Sequence, residues 1–283
     1  MQPFDTASFI LRHPISRRQP ISSMLRYVRW QIESRLRDET IIDWIDGAVL
    51  GVKQGMTGAT GNIYCGLHEF VEMAFLLHLL QPGDLFLDIG ANVGSYTILA
   101  SKVCGAQSIA FEPDPAAARS LRHNISLNAV EDRVRVEQVA LGACSGEIAF
   151  TVGLDTMNHV ATAKDEKSQT VVVKRLDDIS GTGSAVLAKL DVEGFEDEVI
   201  KGAVNVLSSS SLLAIQCESH SPSMTNVLMA HGFEEYFYDP LSRMLSPRPF
   251  DYKVSNALFL RDVAQIELRV TGAPQRKVYG STI

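Results

Sequence analysis

A short apolar run that ends in a glycine-containing turn is the clearest pattern along the chain. Residues 85–89 are apolar apart from Asp88, which is long enough for one buried strand. The turn 90–94 follows, and residues 95–103 predict a helix that ends before Gly105. A strand, a turn and a helix in this order form the first unit of a doubly wound α/β domain, in which ligands lie beyond the carboxyl ends of the strands.

Later apolar runs continue the alternation of strands and helices. Further strands of the same sheet are predicted at 108–112, 134–139, 185–190 and 212–216, with 233–238 and 257–260 as a closing antiparallel pair. Strands at 147–152 and 170–173 flank a polar loop, 153–169. The expected fold class is therefore α/β, with a mixed, mostly parallel sheet, helices on both faces and a closing antiparallel strand pair.

The first 40 residues differ from the rest in charge. Seven arginines fall between Arg12 and Arg37, against four acidic residues in this segment. The apolar residues that follow helical spacing here are Met24, Leu25, Val28, Ile32 and Leu36. The narrow stripe favours an amphipathic helix that packs on the core or on a second subunit, which would make the protein a homo-oligomer. Contact with an anionic membrane surface is the alternative.

The pattern divides the chain into three parts. Residues 1–65 are expected to form a basic helical N-terminal extension and a β-hairpin, 66–270 the main domain, and 271–283 a polar tail. Glycines punctuate 41–66, which predicts short strands and turns. Residues 69–80 predict a helix, and His68 and His78 are expected to be surface or capping residues beside it.

Composition narrows the function classes. Hydrophobic residues make up 46% of the chain, which is enough for a sizeable core, and the net charge of −7 argues against a general nucleic-acid partner. The four cysteines form no C-x-x-C pair, which fits a reducing cytoplasm. No apolar stretch reaches the length of a secretory or membrane-spanning segment, so no integral membrane segment is expected.

The turn after residue 89 does not fit two common nucleotide motifs. Asn92 and Ser95 occupy the second and third glycine positions of the dinucleotide fingerprint, and no Gly-Lys-Ser/Thr sequence follows. What remains is Asp88-x-Gly90-x-x-x-Gly94, which resembles the first motif of S-adenosylmethionine-dependent methyltransferases. In such a turn the glycines allow the backbone to approach the methionine part of the cofactor.

The resemblance extends to several spaced blocks in the right order, over about residues 66–262. Together these blocks resemble the FkbM family of methyltransferases: 87–94, 111–114, Asn124, Asn128, 140–142, 175–179, 189–196 and 201–203. The resemblance implies a Rossmann-like class I fold and S-adenosylmethionine-dependent O-methylation of a small-molecule acceptor such as a sugar or another secondary metabolite. The basic first 40 residues and the segment 154–170, which should shape the acceptor pocket, lie outside the family's pattern.

Candidate cofactor residues follow the ends of the first strands. Asp88, Gly90, Asn92 and Gly94 belong to the first turn. Glu112 ends the second strand, 24 positions after Asp88, where a carboxylate is expected to accept hydrogen bonds from the ribose hydroxyls. Adenine is expected near Ala140, at the carboxyl end of the third strand.

Candidate catalytic residues lie near the ends of the later strands and in the polar loop. Asp191 and Glu193 follow one strand and Glu218 another, so these acids should meet at one rim. A hydroxyl acceptor must lose its proton to a base, and His159 is the preferred candidate, with Glu193 and Asp191 positioning the acceptor. A carboxylate base, or a magnesium ion held by Asp191 and Glu193, stays open as an alternative, although no metal is expected.

Two other function classes stay open at this point. An NAD-dependent oxidoreductase is the alternative among enzymes, and the missing second glycine counts against it. A cofactor-binding or scaffolding protein without catalysis is the alternative outside enzymes, and the rim of Asp191, Glu193 and Glu218 argues against it.

Overall fold

The computed structural model describes residues 3–151, 159–160, 167–250 and 256–283. The helices are α1 Pro3–Arg12, α2 Pro20–Leu36, α3 Thr57–Cys65, α4 Phe70–Leu79, α5 Ser95–Ile98, α6 Pro115–Leu127, α7 Glu196–Lys201, α8 Val204–Ser208, α9 Pro222–Ala230 and α10 Val263–Gly272. A π-helical turn, Leu99–Val103, continues α5. The strands are β1 Thr40–Asp43, β2 Val49–Val52, β3 Leu85–Ile89, β4 Gln107–Phe111, β5 Val134–Glu137, β6 Ala140–Leu141, β7 Gly146–Thr151, β8 Ser168–Lys174, β9 Ala185–Leu190, β10 Ala214–Cys217, β11 Glu234–Asp239, β12 Met244–Ser246, β13 Ala257–Leu260, β14 Lys277–Val278 and β15 Ser281–Thr282.

The central sheet confirms the expected fold class. Within the described ranges its strand order is β12-β11-β13-β10-β9-β3-β4-β5. Five adjacent strands of this sheet, β10-β9-β3-β4-β5, run parallel to one another. The strand β13 lies between β10 and β11 and is antiparallel to both. Helices cover both faces, because apolar residues of α4 and α10 pack on one side and those of α7, α8 and α9 on the other. This is the Rossmann-like, doubly wound architecture that the sequence resemblance implies.

The strand β3 shows how the sequence places the first site residue. All five of its residues are buried, as expected for a parallel strand with both faces covered. Because side chains alternate, Leu85, Leu87 and Ile89 join the core on one face, whereas Phe86 joins the core on the other. Asp88 lies on the Phe86 side, where Thr97 of α5 donates a hydrogen bond to it.

The N-terminal extension shares the core of the main domain, but α2 does not bury the apolar stripe that was expected to pack there. Ile10 and Trp30 are buried in the same cluster as Ala91 and Val93 of the turn after β3. The expected stripe of α2 does not pack on the core, because Leu25 and other stripe residues are exposed. The division of the chain at residue 65 stays a prediction.

Three local expectations are corrected by the structure. The hairpin β1–β2 is present, but the second half of 41–66 forms α3 instead of further strands and turns. His78 is buried, not at the surface, and its Nδ1 lies 2.6 Å from the Tyr238 hydroxyl. The predicted polar tail contains the hairpin β14–β15, with Val278 and Ile283 in the core.

The tail and the N-terminal extension hold each other in place. The Arg26 guanidinium lies 3.9 Å from the centre of the Tyr279 ring, and Gln19 donates a hydrogen bond of 2.6 Å to the Tyr279 carbonyl. Arg26 also donates to the Tyr64 carbonyl at the end of α3. No helix in the described parts of the chain has both the length and the apolar character needed to cross a bilayer.

A second, smaller sheet carries the loop that should shape the acceptor pocket. Its order among the described residues is β6-β8-β7, with β7 and β8 antiparallel. The bounds of these two strands agree closely with the predicted 147–152 and 170–173. In the loop, His159 and Val160 are described, and Val160 forms an isolated bridge with Phe150. Most of the predicted loop, 153–158 and 161–166, lies outside the described residues, as does residue 152 of the predicted strand.

Candidate active site at the carboxyl ends of the strands

A cavity of about 320 Å³ opens at the carboxyl ends of β3, β4, β9 and β10. Its lining includes the predicted cofactor residues Asp88, Gly90, Asn92, Glu112 and Ala140. The predicted catalytic residues Asp191 and Glu193 line the same cavity, together with Glu218. Gly94 and His159 are predicted site residues that do not belong to this lining.

The turn after β3 needs glycine because it passes close to β9. Gly90 has φ +83°, and a Cβ built there would lie 1.9 Å from the Asp191 carbonyl oxygen. The amides of Gly90 and Ala91 both donate to the Phe111 carbonyl at 3.0 Å, which ties the turn to β4. Gly94 has φ +90°, and its Cβ would meet the flexible end of Leu121 at 2.5 Å. Gly90 thus lets the ends of β3, β4 and β9 converge on the cavity, and Gly94 lets the start of α5 approach α6.

Glu112 presents a fixed carboxylate at the end of β4. Its Oε2 accepts a hydrogen bond from the backbone N–H of Asn92, and its Oε1 accepts one from the backbone N–H of Asp114, both at 2.8 Å. Burial raises the pKa of Glu112 to about 7, although the two amides act in the opposite direction. Each carboxylate oxygen has a second lone pair. The group can therefore accept two hydrogen bonds from vicinal hydroxyls without changing its orientation.

Asp88 supplies a second buried acceptor. Its Oδ2 accepts the Thr97 hydroxyl at 2.5 Å, whereas its Oδ1 has no hydrogen-bond partner in the described part of the chain. Burial raises the pKa of Asp88, and the cation of Lys189 works against that rise. A buried acceptor without a partner at the wall of a cavity suits a ligand that brings a donor.

Three carboxylates meet on the other side of the cavity. One oxygen from each of Asp191, Glu193 and Glu218 lies within 4.8 Å of the others. Burial raises the pKa of Glu218 to about 7, and the neighbouring charges of Asp191 and Glu193 add to the rise. Burial and the charge of Asp191 also raise the pKa of Glu193. The predicted rim of acids is therefore present as a cluster.

Lys189 is a site residue that the sequence argument missed. Its Nζ lies 2.5 Å from Asp191 Oδ2 and 4.5 Å from the centre of the Tyr96 ring, and its side chain is only 4% exposed. Burial alone would lower the pKa of Lys189, but the carboxylates of Asp191, Glu69 and Asp88 outweigh it and raise the pKa. The two-residue spacing of Lys189 and Asp191 could have signalled this pair, because side chains alternate along a strand.

His159 is held by its backbone beside the acid cluster. Its amide donates to the Thr151 hydroxyl at 2.8 Å, and its carbonyl accepts the Thr151 amide at 2.9 Å. A positive charge on the His159 ring would counteract part of the rise in the pKa of Glu193. Its neighbour Val160 lines the cavity, so the loop reaches the site at this point.

A glycine turn, a fixed acid at the end of the next strand and a cavity at the strand ends define a Rossmann-like cofactor-binding domain. Residues 88–239 match the Methyltransferase FkbM domain, and the chain belongs to this family. Sequence relatives include the hexuronic acid methyltransferase AglP of Haloferax volcanii, 28% identical over 144 residues that cover 50% of this chain and 59% of the relative.

Two further relatives show the same partial coverage. The 2-O-methyltransferase NoeI of Sinorhizobium fredii is 31% identical over 160 residues, 48% of this chain and 63% of the relative. The 31-O-demethyl-FK506 methyltransferase FkbM of Streptomyces tacrolimicus is 31% identical, with 47% and 65% covered. The matches thus span less than two thirds of each of these relatives. The solved structure of P. horikoshii TYW2 in complex with MeSAdo aligns with a TM-score of 0.42 at 15% identity, covering 86% of this chain and 82% of that one.

Proposed function

We propose that the protein is an S-adenosylmethionine-dependent O-methyltransferase acting on a hydroxyl of a sugar or of another small secondary metabolite. The observation that carries the proposal is the cavity itself, with Glu112 fixed by two amides on one side and the three acids on the other. The printed names of the relatives, a hexuronic acid methyltransferase, a 2-O-methyltransferase and a 31-O-demethyl-FK506 methyltransferase, support a hydroxyl acceptor.

The cofactor would lie across the ends of β3, β4 and β6. Glu112 would accept the ribose hydroxyls, and Ala140 would contact the adenine. The close turn at Gly90 would let the backbone approach the methionine part, and the unpartnered Oδ1 of Asp88 fits a donor of the ligand. Bound S-adenosylmethionine supplies an electrophilic methyl group, and the chain's own contribution is to align the acceptor oxygen with it.

The acid cluster would receive the acceptor. Lys189 holds Asp191, so this carboxylate suits a positioning role better than a proton-accepting one. His159 remains the predicted base, and Glu218 is an alternative that its geometry and its pKa of about 7 support, because such a group is half deprotonated near neutral pH. The proton of the acceptor hydroxyl would pass to one of these groups as the methyl group arrives.

Cofactor binding is the first test of the proposal. Isothermal calorimetry should show binding of S-adenosylhomocysteine, the demethylated product, and no comparable binding of NAD. Labelled methyl transfer to a panel of sugars and secondary metabolites then identifies the acceptor class. Binding of NAD alone would replace the proposal by an oxidoreductase, and tight cofactor binding without transfer to any acceptor class would favour a non-catalytic protein.

The base is identified by turnover of matched variants. We expect His159→Ala to lose about 10²-fold or more in kcat with S-adenosylhomocysteine affinity kept, and a chelator to have little effect. Near-normal turnover of His159→Ala with a large loss in Glu218→Gln would transfer the role to Glu218. Abolition by the chelator would instead assign the three carboxylates to a metal ion.

The remaining expectations concern the cellular compartment, the class of acceptor and the oligomeric state. All four cysteines are free thiols, three of them buried, which supports the proposal of a reducing cytoplasm. The net charge of −7 supports a small-molecule acceptor over a nucleic acid. A homo-oligomer through the N-terminal extension remains an alternative, and analytical ultracentrifugation tests it.

A further inference from the structure

The helix α2 carries an apolar stripe that the described parts of the chain leave exposed. Its members, with their exposed fractions, are Ile21 77%, Leu25 64%, Val28 47%, Ile32 57% and Leu36 78%. We propose that this stripe and the arginines around it dock the protein on an anionic lipid surface.

The stripe points away from the body of the protein. With about 100° of rotation per residue, its five side chains fall within roughly 80° of arc. The buried residues of the same helix, Ser23, Trp30 and Ser34, lie on the opposite side. Trp30 fills the core beside α3, so the packing of the domain already accounts for that face. The packing seen among the described residues therefore does not explain the apolar stripe of α2.

The charges around the stripe select the partner. At the same rotation per residue, Arg29 and Arg35 flank the stripe on its two sides, and both side chains are exposed. Arg29 also forms an ion pair of 2.8 Å with Glu33, one turn further along the helix. Further exposed arginines lie just outside α2 at positions 12, 17, 18 and 37. Residues 1–37 contain seven arginines and two acids, although the whole chain has a net charge of −7. An apolar stripe flanked by cations is the pattern of a helix that lies in the plane of an anionic membrane interface.

A second copy of the chain fits this surface less well. A symmetric dimer would place the same patch on both sides of the interface. The arginines of one α2 would then face those of the other, and like charges at short range repel. Lipid headgroups of opposite charge remove this repulsion, and the long arginine side chains can extend past the apolar stripe to reach them.

The experiment is vesicle flotation of the full chain. We expect binding to vesicles of phosphatidylcholine with about 30% phosphatidylglycerol, little binding to phosphatidylcholine alone, and release when the salt is raised from about 0.1 M to about 1 M. The double variant Leu25→Gln/Ile32→Gln should weaken binding about tenfold or more, and Arg29→Gln/Arg35→Gln by about tenfold or more. Leu268→Gln is the matched control, since Leu268 is 76% exposed on a different helix.

Folding and self-association are measured on the same proteins. Unchanged S-adenosylhomocysteine affinity shows that each variant is folded, and far-ultraviolet circular dichroism serves the same purpose if that ligand does not bind. Absence of binding to anionic vesicles, equal binding to neutral ones, or full binding by the stripe variant would overturn the proposal. A dimer in analytical ultracentrifugation that the stripe variant abolishes, without vesicle binding, would assign the surface to a second copy.

Discussion

The contact between the first turn and the end of β9 can be tested by placing one methyl group at Gly90. The added Cβ would lie 1.9 Å from the Asp191 carbonyl oxygen, and the position has φ +83°. The nearest atom belongs to the backbone, so no side chain can rotate out of the way. Either β9 or the turn must move, and both carry residues that line the cavity.

The expected loss in the free energy of unfolding has two parts, the cost of the backbone conformation and the cost of the steric overlap. A left-handed backbone conformation costs about 1–2 kcal/mol for a residue with a Cβ. Gly83→Ala isolates this cost, because Gly83 has φ +88° and no heavy atom within 4 Å of the added Cβ. Overpacking against fixed neighbours adds about 1–3 kcal/mol. We therefore expect Gly90→Ala to lower the free energy of unfolding by about 2–5 kcal/mol, and Gly83→Ala by only the first part.

Urea unfolding and calorimetry together provide the measurement. Gly90→Ala should bind S-adenosylhomocysteine at least about tenfold more weakly, because a displacement of about 1 Å breaks hydrogen-bond geometry worth over 1.4 kcal/mol. Gly83→Ala should keep wild-type affinity. Equal losses of stability in the two variants, or an unchanged affinity of Gly90→Ala, would refute the role assigned to this close approach.

Three further predictions test separate parts of the structure. Glu112→Ala should weaken S-adenosylhomocysteine binding by about 2–4 kcal/mol in calorimetry. The control Asp114→Ala removes the N-cap of α6, so it should cost about 1 kcal/mol of stability and leave the affinity unchanged. Equal affinities of the two variants would remove Glu112 from the ribose site. Arg261 donates to four backbone carbonyls, so Arg261→Lys should lose about 2–3 kcal/mol in urea unfolding, and an unchanged midpoint would contradict this. Burial lowers the pKa of His78 from 6.5 to about 3, so the unfolded chain binds more protons than the folded one between these pH values. The stability that the neutral His78 contributes is therefore fully present above pH 6.5 and falls as the pH drops, by about 2 kcal/mol at pH 5. His78→Gln should show a smaller difference in unfolding free energy between pH 7 and pH 5 than the wild type, and an equal difference would contradict this.

The position of the site could be predicted because it depends on local sequence. The apolar run at β3 is buried on both faces, and a strand of that kind leaves its end at the edge of the sheet. Glu112 follows the next parallel strand, so its approach to the same turn follows from topology. The amide of Asn92 accordingly donates to Glu112 across 20 positions of sequence.

Partners of charged side chains could be predicted only in part. The convergence of Asp191 and Glu218 follows from two neighbouring parallel strands, β9 and β10. That Lys189 holds Asp191 depended on the alternation of side chains at a strand end, a signal that was present in the sequence. The burial of His78 against Tyr238 joins residues 160 positions apart, and no local pattern announces it.

The sequence by itself determined the alternation of strands and helices around β3, the α/β class and the residues at the ends of β3, β4, β9 and β10, because hydrophobic periodicity and turn chemistry act over a few residues. Only the tertiary structure decided which face of α2 is buried. The periodicity marks an apolar stripe through Leu25 and Ile32, but Trp30 on the opposite face fills the core beside α3. A helical period shows that a face is apolar, whereas the space available between neighbouring elements decides whether the protein covers it.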